Sequence, residues 1–592
     1  MILSPEDATT GRENYYDAVG FSRREFLMST LASGAVASGG LGALYFGYSQ
    51  VNNPLRVGII GTGDEGNVLI GGLNPKYVQC VAIADIRPFG IHRAFHGDQA
   101  SDTALEARPG LMTRYGWKSE DEARRNVKVY EGDYHELLDN PDVEAVIIAL
   151  PLHLHAEAAV HAMLKGKHVL TEKLMAHNIA QCKAMCRVAK EQGKYLAVGH
   201  QRHYSILYDN AVHLIKSGVF GELHHIRAQW HRGNLPGNDS WQQPLPGGET
   251  NREGKKLDKI VGQLNRMKSD LAKETDGVAA EKLAKKVAQW EAWARDAKVE
   301  ATKHGYADFK LGNRTISALE ELCRWRLWER TGGGLMAELG SHQLDASTIF
   351  CSALRKDGKK AHPLSVHALG GRYTFGNDRQ AEDHVYCMFE FPGPGYEPDF
   401  NVGYKDDVLA IPDPQKGIPS YDVDPNKKII VTYSSINGNG YGGYGEIVMG
   451  TKGTLILERE KEVMIYKDAD TATRVGMSKN EKGAAVLDTQ ASGKTAAVAK
   501  ASEGPVSRGY QEEIEHWAWC IRNPAPENQP RCKGEIAMGD AVIALATNVA
   551  IKNANSGKGG YLKFDEAWYD AEKPETPDGS SVEEEYKKLT KV

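Results

Sequence analysis

The sequence predicts an α/β protein: an N-terminal domain with a parallel sheet, then a larger α+β domain with an open, mostly antiparallel sheet and a helical insertion. Three observations predict it. From residue 55, short apolar strand segments alternate with helical segments of about 10 to 15 residues, the pattern of parallel βαβ units. Beyond residue 365, alternating strands are punctuated by turns such as Pro392-Gly393-Pro394-Gly395, the pattern of antiparallel pairing. Between these regions, residues 240–325 carry apolar residues at helical spacing: Leu257, Ile260, Val261, Leu264, Met267 and Leu271, then Leu283, Val287, Trp290 and Ala294. That insertion reads as a helical hairpin, either a lid, a subunit contact or surface decoration.

A chain of 592 residues exceeds one ordinary core, and at roughly 150 residues per domain it holds two to four units. The expected division is an export segment over 1–50, the parallel-sheet domain over 51–200, the α+β domain over 201–570 and a polar tail over 571–592. A hydrophobic content of 41% with 25% charged residues describes a globular chain. The net charge of -6 supplies no basic field for a phosphate backbone, so nucleic acid is excluded as a partner. Eight cysteines without a CxxC pair argue for neither a zinc site nor a forced disulfide.

Ser22-Arg23-Arg24-Glu25-Phe26-Leu27 resembles the twin-arginine export motif. It precedes an uncharged stretch from Leu27 to Tyr48, whose many glycines make a poor soluble helix. The segment is read as an address for the twin-arginine export machinery and a periplasmic or extracellular location. Ala35-Val36-Ala37 offers a small-residue cleavage site, and an uncleaved segment would remain as an anchor. That route carries folded proteins, so a cofactor can be loaded before export and remain tightly bound.

Leu55 to Ile60 forms a short apolar strand running into Gly61-Thr62-Gly63-Asp64-Glu65-Gly66 and a helix. This is the strand, glycine turn and helix of a Rossmann dinucleotide site: Gly61 permits the tight turn, Gly63 lets backbone approach a pyrophosphate, and Gly66 lets helix and strand pack. A second strand, Val78 to Ala84, ends on Asp85, where a carboxylate can bind ribose hydroxyls. Asp85 favours NAD, because it would repel a 2′-phosphate. Arg87, two residues on, leaves NADP open. Further strands are expected from Glu144 to Leu150 and from His168 into Glu172-Lys173, with a helix opening at Pro151-Leu152-His153-Leu154-His155. Late strands are expected over Ser365–Thr374, His384–Phe391 and Ile429–Ser434, and an irregular loop over 467–505.

From Pro151 through Glu172-Lys173 to Val198-Gly199-His200-Gln201-Arg202, the chain resembles the Gfo/Idh/MocA oxidoreductases. The resemblance covers about residues 55–235 and 325–568, and includes the late hairpin at 445–455 and two closing helices. It implies that Pro151, His155, Glu172 and Lys173 line the cofactor. Leu174 stands where the family has a proline. A cis bond before leucine costs about 3 kcal/mol more than before proline, which predicts a different turn here. Gly332-Gly333-Gly334 followed by Glu338, His342 and Asp345 is similar to the family's catalytic helix, with Glu338 in place of aspartate. Their spacing puts the three side chains on one helical face.

The resemblance implies that His342 carries the proton, that Lys173 holds the substrate oxygen or assists transfer, and that Glu338 binds or polarises a neighbouring hydroxyl. Arg202, His203, Tyr204 and Asp345 are expected to touch substrate at the cleft. His153, His155, His224, His225 and His231 contain no trio with ligand spacing, and no metal is expected. Three functions fit these residues. The first is NAD(P)-dependent oxidation of a secondary alcohol in a sugar, polyol or sugar derivative. The second is a glycoside hydrolase or lyase that oxidises transiently and keeps its NAD. The third is a non-catalytic sugar-binding or scaffold protein of the same fold, a reading that Leu174 and Glu338 favour. The redox state of the cofactor over a turnover separates the first two, and dinucleotide binding separates both from the third. The resemblance also implies a homodimer or homotetramer paired through the open sheet.

Overall fold

The computed structural model describes residues 3, 5–19, 41–250, 254–396, 427–467, 476–479, 485–488 and 508–591. The Ser22–Leu27 motif and Ala35–Ala37 lie outside the described residues.

Six strands form the first sheet: β1 (Leu55–Ile60), β2 (Val78–Ala84), β3 (Lys128–Tyr130), β4 (Ala145–Ile148), β5 (His168–Glu172) and β6 (Leu196–Gly199). They pair in the order β3-β2-β1-β4-β5-β6, all parallel. Val57, Ile59, Ile147 and Leu170 are buried on one face, and Ile60, Val146, Ile148 and Val169 on the other. Both faces are therefore covered, as the near-continuous apolar strands require. The order reverses between β1 and β4, so the carboxyl ends of the strands open a crevice there.

The second sheet has eight strands: β7 (Leu223–His231), β8 (Ser365–Gly371), β9 (His384–Pro392), β10 (Lys428–Ile436), β11 (Tyr444–Gly450), β12 (Gly453–Glu458), β13 (Glu462–Lys467) and β14 (Tyr561–Lys563). Their order is β13-β12-β11-β7-β10-β9-β8-β14, antiparallel except where β7 runs parallel to β10. The 22-residue helix Gly534–Asn555 and the helix Ser341–Ala353 cover its inner face. The outer face exposes Leu369, Tyr386 and Met388.

The insertion folds as the expected hairpin, Lys259–Leu271 against Gly277–Arg295, packed through Leu264, Met267 and Val287. Two expectations are corrected. Within 467–505, Gly476–Lys479 pairs with Ala485–Asp488, so the polar composition hides a short hairpin. The polar tail contains a helix, Val582–Leu589, with Val582 and Leu589 buried. Asn178 and Arg187 of the first domain bond its Glu585 and Glu583, which anchors this amphipathic segment.

The segment after residue 40 also joins the body. Tyr48 donates to Glu515 (2.8 Å), which also accepts from Asn74 (2.6 Å) and Gln511 (2.8 Å). Burial pushes the Glu515 carboxyl up to about 7, even though these bonds pull it down. A carboxyl raised on folding contributes stability that is complete below its unfolded value and is lost as pH rises through the folded one. Glu515 therefore costs stability from about pH 4.5 to pH 7, at up to about 1.4 kcal/mol per unit. Glu515→Gln should shrink the loss between pH 5 and pH 8 in denaturant titrations. An unchanged pH dependence would contradict the assignment.

Candidate active site

The glycine turn closes β1 as the three glycines require. Gly61 adopts φ +88°, and a Cβ there would lie 2.5 Å from the Ala149 carbonyl oxygen. At Gly66 a Cβ would stand 2.2 Å from the Gly61 carbonyl oxygen, so helix Asp64–Gly72 can approach the strand only without one. A Cβ on Gly63 would meet nothing within 4 Å, leaving its backbone accessible at the helix N-terminus. These residues fit a pyrophosphate.

Asp85 stands at the end of β2 and accepts from the Thr62 N–H (2.7 Å), the Thr62 hydroxyl (2.9 Å) and the Arg87 N–H (2.8 Å). A carboxylate has about four acceptor positions, so capacity remains for a ribose hydroxyl. The Arg87 side chain does not face the crevice freely. Its Nε donates to Asp296 of the insertion at 2.8 Å.

At the ends of β4 and β5 the chain holds a narrow turn. The Lys173–Leu174 peptide bond is cis despite the leucine, a correction to the different turn that the loss of proline predicts. His155 is buried, with one ring nitrogen 2.8 Å from the Leu174 carbonyl oxygen and the other 2.8 Å from that of Leu150. The ring lies between the two strand ends, and because burial lowers its pKa it is neutral and donates its single N–H to one of these carbonyls. Pro151 precedes the short turn Leu152–Leu154 that leads into this helix.

Glu172 is buried beside Gly199, where a Cβ would come within 2.8 Å of its carboxyl. Burial and then the neighbouring Glu65 push Glu172 well above the usual carboxylate range. Glu65 is likewise raised, chiefly by burial, while Lys173 opposes the shift.

The second domain meets Lys173 through a π-helical turn, Met336–Gly340, which leads into helix Ser341–Ala353. The Lys173 ammonium donates to the Glu338 carbonyl oxygen at 2.9 Å. Burial lowers its pKa, against the pull of Glu338, Glu172 and Glu65. The Glu338 carboxylate accepts from Arg326 Nε at 2.7 Å. Burial alone would raise it, but Arg326 and then Lys173 hold it below its ordinary value. One turn on, His342 lies beside Trp230, with ring centroids 5.3 Å apart. Burial, followed by the Lys173 charge, drives its imidazole well below the usual histidine range, so it is neutral at physiological pH.

Asp345, next on the same face, accepts from His203 at 2.8 Å and lies 3.6 Å from His200 and 3.4 Å from Lys360. Burial opposes its ionisation, but His203, His200 and Lys360 together hold it well below the ordinary aspartate value. Among the described residues, His200, Asp345 and Asp540 also bring ligand atoms within 4.8 Å of one another. The Lys360 ammonium already pairs with both aspartates, which supplies the positive charge there. Spacing along the chain could not reveal this grouping, because its members come from three separate elements.

Lys173, Glu338 and His342 are thus brought together, with two neighbours the sequence reading gave no role: Glu65, inside the glycine turn, and Arg326. Arg326 would have been legible only as a cation a few residues before the glycine run. Two expected cleft residues are interior. Arg202 pairs with Glu460 (2.9 Å) and faces Glu446 (3.7 Å), and its side chain is 1% exposed. Tyr204 is fully buried, its hydroxyl accepting from the Cys532 N–H at 3.4 Å. The turn after β6 points both inward, toward Glu446, Glu460 and the Cys532 backbone, partners distant in sequence that local pattern does not pair with them. His203 keeps partial exposure through its bond to Asp345. His231 bonds the Tyr441 carbonyl and the Ser434 hydroxyl, and so ties β7 to its neighbours.

Residues 55–200 match the model of the Gfo/Idh/MocA oxidoreductase family, described as having an NAD-binding Rossmann fold. The chain is 31% identical over 175 residues to 1-carboxy-3-chloro-3,4-dihydroxycyclo hexa-1,5-diene dehydrogenase of Comamonas testosteroni, covering 29% of this chain and 37% of that one. It is 24% identical over 220 residues to a glycosyl hydrolase family 109 protein of Solibacter usitatus, covering 36% and 46%. It is 35% identical over 91 residues to inositol 2-dehydrogenase of Salmonella typhimurium, covering 15% and 27%. In each case the match spans less than half of the relative's length. By its sheet order and its glycine turn, the segment from residue 55 to residue 200 is a Rossmann domain, and its sequence matches the NAD-binding domain of the Gfo/Idh/MocA oxidoreductases.

Proposed function

We propose that the chain is an NAD-dependent oxidoreductase that oxidises a secondary alcohol of a sugar, polyol or sugar derivative. The observation that carries this reading is the meeting of Lys173, at the carboxyl end of β5, with Glu338 and His342 of the second domain beside the cofactor crevice. NAD, when bound, supplies the hydride acceptor. The neutral His342 imidazole takes the proton of the substrate hydroxyl, and the Lys173 ammonium stabilises the oxygen as negative charge develops. Glu338, held ionised by Arg326, keeps Lys173 charged and accepts from a neighbouring hydroxyl. A relative named inositol 2-dehydrogenase supports the polyol class.

A second reading keeps NAD but returns the hydride within one turnover, giving net cleavage of a glycoside. The relative named as a glycosyl hydrolase family 109 protein favours it. Incubation with NAD and a panel of free sugars, polyols and glycosides tests both. NADH accumulating with oxidised product supports the first reading. Cleavage without NADH supports the second, and neither outcome on any substrate class contradicts both.

The proposal extends to export by the twin-arginine route, supported by Ser22–Leu27 and the uncharged stretch that follows. Replacing Arg23 and Arg24 with lysine should abolish export, and undiminished export would contradict it. A homo-oligomer paired through the outer sheet face is supported by exposed Leu369, Tyr386 and Met388. A monomer in sedimentation experiments would contradict it.

A further inference from the structure

The insertion docks along helix Pro88–His96 of the cofactor domain, immediately after Arg87. Asp296 follows the long insertion helix and its side chain is fully buried. One of its oxygens accepts from Arg87 Nε at 2.8 Å and the other from the Phe89 N–H at 2.9 Å. Phe89 stacks on Trp293 of the insertion at 4.9 Å, with planes 11° apart, and carries the Arg93 guanidinium 4.1 Å above its ring. A turn earlier on the insertion helix, Gln289 accepts from the Gln99 N–H (2.7 Å) and donates to Asp98 (3.0 Å). The hairpin is therefore neither a loose lid nor mere decoration, since its buried polar contacts converge on one edge of the dinucleotide domain.

That edge carries the chemistry that separates NAD from NADP. An acid at the end of the second strand favours a free ribose 2′-hydroxyl, whereas an arginine nearby accommodates a 2′-phosphate. This chain has both, Asp85 and Arg87. Arg87 can serve a phosphate only if its planar donor fork is free to turn toward it.

We propose that the insertion sets the dinucleotide choice: by engaging the Arg87 guanidinium, Asp296 withholds the cation two residues from Asp85 and makes the chain selective for NAD over NADP. This rests on the reading of the chain as NAD-dependent. Asp296 acts through Arg87 and is a positioning residue. The pair also fixes where the insertion sits, because Asp296 bonds Arg87 and the Phe89 backbone at once.

The test is calorimetric titration of the full chain, first freed of any bound dinucleotide, with NAD and with NADP. Wild type should bind NAD at least about tenfold more tightly than NADP. Asp296→Asn, which keeps the side-chain shape and an oxygen for the Phe89 N–H, should shift the ratio toward NADP by about tenfold, the worth of one charge-assisted bond to phosphate. Adding Arg87→Ala to Asp296→Asn should cancel that gain, because the phosphate would then have lost its cation. Arg87→Ala alone should leave the wild-type ratio unchanged, and this keeps the proposal open to refutation if Asp296→Asn fails to fold. NAD binding with an unaltered ratio in Asp296→Asn overturns the proposal alone, as does a loss of NADP affinity in Arg87→Ala alone. Binding of neither dinucleotide by wild type overturns the NAD-dependent reading as well.

Discussion

Lys173→Ala should lower kcat by about 10²–10⁴, the range associated with a positioned acid–base group, while dinucleotide binding is retained. On the proposed reading, the pyrophosphate and ribose are held by the glycine turn and Asp85, which the substitution leaves intact. What disappears is the cation facing the substrate oxygen and its bond to the Glu338 carbonyl. Lys173 is also the largest influence after burial that holds the His342 imidazole down. In Lys173→Met, the His342 titration followed by NMR should therefore move upward. A kcat within about tenfold of wild type, or a His342 titration that stays in place, would contradict the assignment of Lys173.

Arg202→Ala should destabilise the fold by about 3–5 kcal/mol, the cost of breaking a buried ion pair from one side. Glu460 keeps Arg508 at 2.9 Å, but Glu446 keeps only the Tyr208 hydroxyl at 2.9 Å. Burial already raises the Glu446 carboxyl to about 7 against the pull of Arg202, so losing that pull moves it higher. Denaturant unfolding at pH 8 should show the full loss, and part of it should return at pH 5, where Glu446 is protonated. A residue in the substrate cleft would behave differently, with a raised KM and an unchanged denaturation midpoint.

The contrast between Lys173 and Arg202 shows what was legible in the sequence. Lys173 follows a short apolar strand, and Gly61, Gly63 and Gly66 follow another, so backbone rules place them at strand ends without knowledge of the packing. Glu338, His342 and Asp345 were legible through the resemblance of the glycine run and helix to the family's catalytic helix, and helical spacing added that they share a face. Arg202 and Tyr204 sit where the chain leaves the sheet, and local pattern does not say whether such side chains turn inward. Their fate depends on Glu446, Glu460 and Cys532, more than 200 residues away. His155 opens a helix as the sequence indicates, but its backbone neighbours Leu150 and Leu174 became visible only in the fold. Arg87 is a further case. Its partner Asp296 lies in an insertion whose helical periodicity was plain and whose docking site was not. The tail helix Val582–Leu589 was obscured by its charge, because only two of its eight residues are buried.

The central claim is that this chain works with a nicotinamide dinucleotide held at the glycine turn. The most direct test is to purify the full chain, denature it, assay the supernatant for NAD and NADP in both redox states, and titrate any protein recovered empty. Near-stoichiometric NAD or NADH, or saturable NAD binding by the empty protein, is the predicted result. No released dinucleotide and no binding on titration would contradict the account and leave a sugar-binding scaffold as the reading of the fold.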